Sequence, residues 1–213
     1  EKTIETMFDT IYQHVDAIHV ALDHEPGENV ELERRITEYD KAGKITIKYL
    51  PKRIVKDSYG FANARNYSAK DVNSKWVLWI DSDMMFSSTT ALRLLEHNKD
   101  IVACNYMRRS KPLKTVAYTD LNDWNSWVPM EPQTDLVKVQ GVGMGCMLMK
   151  LDMFNKLEKP YFEFQYKEDT EDYFGEDFIL LGKLRNLKYY VYIDTILSMD
   201  IKHLGIYAFG NND

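Results

Sequence analysis

Two aspartates one residue apart, Asp81-Ser82-Asp83, follow directly on the apolar run Trp76-Val77-Leu78-Trp79-Ile80. An apolar strand ending in Asp-x-Asp puts acidic groups at its carboxyl end, where open α/β sheets bind their ligands. In extended chain the side chains of i and i+2 point the same way, so both carboxylates can face one ion. Hard oxygen donors suit Mg²⁺ or Mn²⁺. Such an ion bridges carboxylate to phosphate oxygens and neutralises a departing diphosphate. The pattern is short, and a solvated turn capping a helix near Ser88 accounts for it as well.

Other residues could complete such a site. His203, in Lys202-His203-Leu204-Gly205, could add a nitrogen ligand, and a mixed oxygen and nitrogen set favours Mn²⁺ over Mg²⁺. Its plain alternative is a histidine at the core edge. His14, His19, His24 and His97 have weaker claims. Asp23 ends a strand and can accept a hydrogen bond from a nucleobase imide, or merely form a turn. Arg65 suits a bidentate grip on phosphate, or is a helix-surface charge. Glu176-Asp177 opens a helix after Gly175, where unpaired backbone N–H groups already stabilise a carboxylate. Beside a cleft, Asp177, or failing it Glu176, could also take a proton from a sugar hydroxyl. In Gly141-Val142-Gly143-Met144-Gly145 the spacing is wrong for a dinucleotide fingerprint, and a strand follows, not a helix. Gly143 and Gly145 would let the backbone approach a ligand, or simply form a tight bend. No Gly-x-Ser-x-Gly, His-Glu-x-x-His or Cys-x-x-Cys pattern occurs.

The elements that must position these groups follow from periodicity. Ile4, Met7, Phe8, Ile11, Tyr12 and Val15 form a helical stripe over 3–15. Strands are expected at 17–22, 45–49, 76–80, 101–106, 136–140, 146–149 and 189–193, and helices at 30–40, 62–70, 89–97, 151–157 and 177–186. The run 76–80, apolar on both faces, reads as an inner strand of a parallel sheet. Alternating helices and strands imply an α/β chain with right-handed crossovers. The fold expected is a three-layer sandwich around a central, mostly parallel sheet. Such folds normally open with a strand, whereas this chain opens with a helix. Residues 107–136, with Trp124 and Trp127, lose periodicity and read as a surface loop or small acceptor-side insertion. Residues 167–176 are highly acidic, with Glu168-Asp169-Thr170-Glu171-Asp172 reading as solvated charge, and 200–213 read as a loop closing over the site.

The 213 residues suffice for one domain spanning 1–213. A start at Glu1 fits a piece of a longer chain, possible fusion partners included. With 45% hydrophobic and 28% charged residues the composition is globular. A formal net charge of −6 offers nucleic acid no general attraction. Two cysteines, Cys104 and Cys146, are too few for a disulfide framework. They fit buried thiols and a reducing, cytoplasmic setting. No apolar run reaches membrane-spanning length, and no signal peptide is recognisable.

In order and spacing, Ala21-Leu22-Asp23, Ala62-Asn63-Ala64-Arg65-Asn66, Trp76–Asp83, Gly141–Met149, Gly175-Glu176-Asp177-Phe178 and Lys202–Gly205 resemble the GT-A fold glycosyltransferases, especially the family-2-like group of bacteria and large viruses. The resemblance implies a nucleotide-diphospho-sugar transferase fold and transfer of a sugar, UDP-linked by expectation, to a hydroxyl of a glycan or other acceptor. It implies Asp23 at the base, Arg65 at the nucleotide, Asp81 near ribose and metal, and Asp83 as main metal ligand with His203 as the second. It further implies that the motif's Ser82 belongs to the donor site, that the glycines Gly143 and Gly145 line the donor-sugar and acceptor region, and that Asp177 is the base of an inverting enzyme, with Glu176 behind it. Alternatives are a retaining transferase of the same fold, a nucleotidyltransferase releasing pyrophosphate, and a carbohydrate-binding module using Trp124 and Trp127.

Overall fold

The computed structural model describes residues 8, 10–51, 60–121, 128–130, 136–168, 171–205 and 208–210. The first turn of the expected amino-terminal helix, with residue 9, lies outside these residues. Its described end is Phe8, Thr10 and Ile11, followed by a 3₁₀ turn at Tyr12–His14. The first layer is a parallel pair, β1 (Ile18–Leu22) and β2 (Ile45–Tyr49), in register from Ile18↔Ile45 to Leu22↔Tyr49. The crossover between them is helix α1 (Val30–Tyr39). The Asn29 side chain caps it by accepting from the Leu32 N–H at 3.2 Å, which satisfies one of the helix's orphan donors. Ile36 packs with Phe8 and Leu22 in a small core, and Ile18 joins that core to the larger one.

The remainder runs α2 (Gly60–Ser68), β3 (Trp76–Ile80), β4 (Met84–Met85), α3 (Thr90–Glu96), β5 (Ile101–Ala103), β6 (Ala117–Asp120), β7 (Val128–Pro129), β8 (Leu136–Val139), β9 (Gly141–Val142) and β10 (Cys146–Lys150). The helix expected at 151–157 is a 3₁₀ helix, Leu151–Lys156. Then come β11 (Gln165–Lys167), β12 (Asp172–Phe174), α4 (Glu176–Asn186), β13 (Val191–Asp194), a 3₁₀ turn at Leu197–Asp200, β14 (Lys202–Leu204) and β15 (Ala208–Gly210).

The main sheet has the order β3-β10-β5-β13-β8. Strands β3, β5 and β13 point one way, while β10 and β8 run against them. The α/β class therefore holds, with a mixed sheet. Among the described residues β3 is an edge strand, not an inner one, and all five of its residues are only half-buried. The buried inner strands are β5, with no exposed surface at Ile101, Val102 or Ala103, and its neighbour β10, with none at Cys146, Met147 or Met149. A run buried on both faces must be apolar throughout.

The expected loop at 107–136 carries β6, which pairs with β7 and β9, and its Val116, Ala117 and Met130 belong to the main core. Trp124 and Trp127 lie outside the described residues. Flanking and within the acidic stretch, β11 pairs antiparallel with β12. The tail is strand as well as loop: β14 pairs antiparallel with β4 on one side and β15 on the other. Cys104 and Cys146 are buried free thiols. No helix among the described residues is long and apolar enough to cross a membrane.

Candidate functional site

The carboxyl end of β3 meets two clusters of charge. In the first, Arg65 reaches from α2 to two carboxylates at once. Its Nη2 donates to Asp81 Oδ1 at 2.8 Å, and its Nη1 donates to Glu176 Oε1. Glu176 is 7% exposed in the first turn of α4. Leaving it unpaired there would cost several kcal/mol, of order 3–5. The guanidinium, though desolvated, is held above its usual range by Asp81, Glu176 and Asp177.

Asp177 is the adjoining group. Its Oδ1 accepts the Phe178 N–H at 2.8 Å, a local cap of α4. A Cβ on Gly175 would stand 2.7 Å from that oxygen, so glycine leaves the carboxyl its room. Burial first, then repulsion from Glu176, pushes Asp177 up to about 7, against the pull of Arg65. A carboxyl that changes protonation near neutrality is suited to proton transfer.

The second cluster depends on the pairing of β4 with β14. His203 stands opposite Met84 in that register, and the Leu204 N–H donates to the Asp83 carbonyl at 2.7 Å. The imidazole Nε2 consequently lies 3.3 Å from Asp83 Oδ2. Its Nδ1 faces the Met107 carbonyl at 3.1 Å. A carbonyl and a carboxylate both only accept, so Nδ1 donates to Met107, and a hydrogen bond to Asp83 needs a second proton on Nε2, the nitrogen turned to the carboxylate. Arg109 Nη1 sits 3.0 Å from the same Oδ2. Asp83 is held below its usual range by the hydrogen bond from His203 and by the charges of His203 and Arg109, with burial opposing.

The two aspartates of the motif thus face different partners, Asp81 toward Arg65 and Asp83 toward His203. Among the described residues no group of three or more His, Cys, Asp or Glu side chains forms a cage for an ion. Ser82 is an exposed turn residue between them. Asp23 has a 79% exposed side chain, 3.9 Å from His24 Nδ1, and no hydrogen bond or ion pair among the described residues joins it to either cluster. The glycines have a concrete neighbour. A Cβ on Gly143 would lie 2.5 Å from the Tyr106 hydroxyl, and one on Gly145 would lie 2.8 Å from its ring. The Gly145 N–H also donates to that hydroxyl at 3.0 Å. The bend is therefore filled by Tyr106, whose phenol is raised well above its usual range by burial and by the charges of Asp81 and Asp177.

Tyr106, Met107 and Arg109 escaped the motif reading. Their signal is topological: β5 points the same way as β3, so residues just after Ala103 emerge at the same end of the sheet as Asp81. A buried structural cluster was missed as well. Asp194, 3% exposed at its side chain, accepts from Arg93 Nε and Nη2 at 2.6 and 3.0 Å, from His97 at 2.8 Å and from the Leu197 N–H at 2.7 Å. A crevice of about 300 Å³ lined by Asn73, Ser74, Asp152, Asn155 and Tyr161 opens at the other, amino end of β3 and includes none of the candidate residues.

Known proteins bear on this geometry. Residues 59–139 match the Anp1 family. A stretch of 65 residues is 34% identical to mannan polymerase complex subunit mnn9 of Schizosaccharomyces pombe, covering 30% of this chain and 18% of that protein. Among solved structures, GalNAc-T7, crystallised with UDP, GalNAc and Mn²⁺, superposes with a TM-score of 0.63 over 96% of this chain and 40% of its own, at 11% identity. A197 from STIV superposes with a TM-score of 0.51 over 92% of this chain and 93% of its own, at 14% identity. The chain has the GT-A fold.

Proposed function

We propose that this chain is the nucleotide-sugar-binding and catalytic part of a metal-dependent glycosyltransferase, transferring a sugar from a nucleoside diphosphate to a hydroxyl of a glycan or other acceptor. The observation that carries the reading is the β4–β14 pairing, which sets His203 Nε2 3.3 Å from Asp83 Oδ2 at the carboxyl end of β3. The fold and the Anp1 match support it. A UDP-linked donor draws support from the GalNAc-T7 neighbour, and a mannosyl donor from the mannan polymerase subunit.

The donor set fits a divalent ion. One carboxylate oxygen and one imidazole nitrogen, its other nitrogen committed to a backbone carbonyl, make a ligand pair oriented from behind. Hard oxygen with borderline nitrogen suits Mn²⁺ over Mg²⁺, and two protein ligands leave positions for phosphate and water. When bound, the ion supplies charge to offset a departing diphosphate.

The chain's own residues do the rest. Arg65, with both ends of its fork on carboxylates, holds Asp81 beside Asp83 as a positioning residue. Asp177 accepts the acceptor hydroxyl proton at its carboxylate. Glu176, paired with Arg65, adds to burial the repulsion that raises the Asp177 carboxyl. A base on the acceptor side gives inversion at the anomeric carbon.

The test incubates the protein with UDP-linked and mannosyl donors, with Mn²⁺ or with chelator, and follows free nucleoside diphosphate and sugar. Asp83→Ala and His203→Ala should lower Mn²⁺ affinity at least about tenfold, as losing a ligand or its support does in metal sites. Release of pyrophosphate would replace the reading with nucleotidyl transfer. Turnover unaffected by chelator would remove the metal from it. Product NMR distinguishes inversion from retention.

A further inference from the structure

Arg109 already neutralises the carboxylate oxygen that a divalent ion would need. Its Nη1 lies 3.0 Å from Asp83 Oδ2, the oxygen that His203 Nε2 faces at 3.3 Å. The same nitrogen donates to the Leu204 carbonyl at 3.3 Å, so the guanidinium spans the junction of β4 and β14. The backbone behind it is anchored: Met107 bridges to Thr115, and the Arg108 N–H donates to the Lys114 carbonyl at 2.8 Å. The side chain itself is 49% exposed. It can therefore swing away without uncovering core, while Met107 continues to orient His203 from the same segment.

We propose that Arg109 is an internal cation that satisfies Asp83 in the metal-free protein, is displaced when a divalent ion binds, and then places its charge on the diphosphate of the donor. This rests on the metal-dependent reading above and adds a competitor and a phosphate ligand to it. A guanidinium and a metal ion on one oxygen repel each other, so occupancy by one weakens the other. Once released, a planar fork of N–H donors matches the oxygens of a diphosphate. The arrangement lets the site hold Asp83 compact when empty and turns metal binding into the step that frees a phosphate-binding group. A mere surface ion pair would have no such double effect.

Mn²⁺ alone is titrated into the wild-type chain, Arg109→Ala, Arg109→Lys and Asp83→Ala, with free ion read by electron paramagnetic resonance. Arg109→Ala should bind Mn²⁺ about two- to five-fold more tightly than wild type, the scale of an exposed ion pair. The difference should shrink in high salt, and Arg109→Lys should fall between. At saturating Mn²⁺, the nucleoside diphosphate that wild type binds most tightly among UDP, GDP and ADP should bind Arg109→Ala about tenfold more weakly, as expected for a lost charge-assisted bond. Mn²⁺ affinity in Arg109→Ala equal to or below wild type, with Asp83→Ala binding none, overturns this inference and leaves the metal site standing. Unchanged nucleotide affinity overturns its phosphate half. Failure of wild type itself to bind Mn²⁺ overturns the metal reading and this inference together.

Discussion

Asp177→Asn separates the chemistry of the site from its cost to stability. The Asp177 carboxyl is raised from 3.8 to about 7 by burial and by Glu176. Between those values the folded chain keeps a proton that the unfolded chain releases, so stability falls as pH rises through that window and then levels off. A shift of about three units at 1.36 kcal/mol each bounds the cost at about 4 kcal/mol. Sharing of that cost with Glu176 brings the expected gain for the variant to roughly 2 kcal/mol. Asparagine can still accept the Phe178 N–H, so the local cap survives. Urea denaturation should show matching midpoints near pH 4 and a more stable variant near pH 8, at unchanged slope. Turnover should fall by about 10²–10⁴ if the carboxylate is the base. A variant no more stable than wild type near pH 8 would refute the placement of an ionisable group that is costly to charge. Retained turnover would refute its role.

Three further perturbations test the supporting structure. Arg65→Ala strands Glu176 and should cost about 3–5 kcal/mol by denaturation, with Arg65→Lys recovering only part because one ammonium cannot fork to two carboxylates. Gly145→Ala should cost about 1–3 kcal/mol through overlap with Tyr106, and combined with Tyr106→Ala the two losses should sum to less than their separate values. Asp194→Asn should cost about 3–5 kcal/mol near neutrality while leaving Mn²⁺ affinity unchanged. Burial raises the Asp194 carboxyl, but the bonds from Arg93, Leu197 and His97 hold it below its usual range. Its stabilisation is therefore present above that range and lost as pH falls through the lowered value, and the deficit of the variant should vanish in acid.

What could be read in the sequence divides by distance along the chain. Trp76–Ile80 and the acidic turn after it are legible because five apolar residues followed by Asp-x-Asp carry their own pattern. The glycines 141, 143 and 145 announce close approach but not what approaches, and the occupant of the latter two is the Tyr106 ring. Strand β4 has only two residues, Met84 and Met85, too few for any period. Its partner β14 lies in a tail whose residues look like loop, so the pairing that joins Asp83 to His203 across 120 positions leaves no local trace. The same holds for Arg65 and Glu176, 111 positions apart. The edge position of β3 was hidden because its apolar residues pack half-buried on the core, which in a sequence looks like full burial.

The lateness of β14 also bears on synthesis. Ribosomes deliver the chain at about 5–20 residues per second, so β3 and its aspartates emerge well before the strand bearing His203. Until β14 joins β4, the nascent chain has Asp83 without the imidazole that faces it. A half-made polypeptide thus lacks the Asp83–His203 pair, which is complete only once residues 202–204 have emerged and paired.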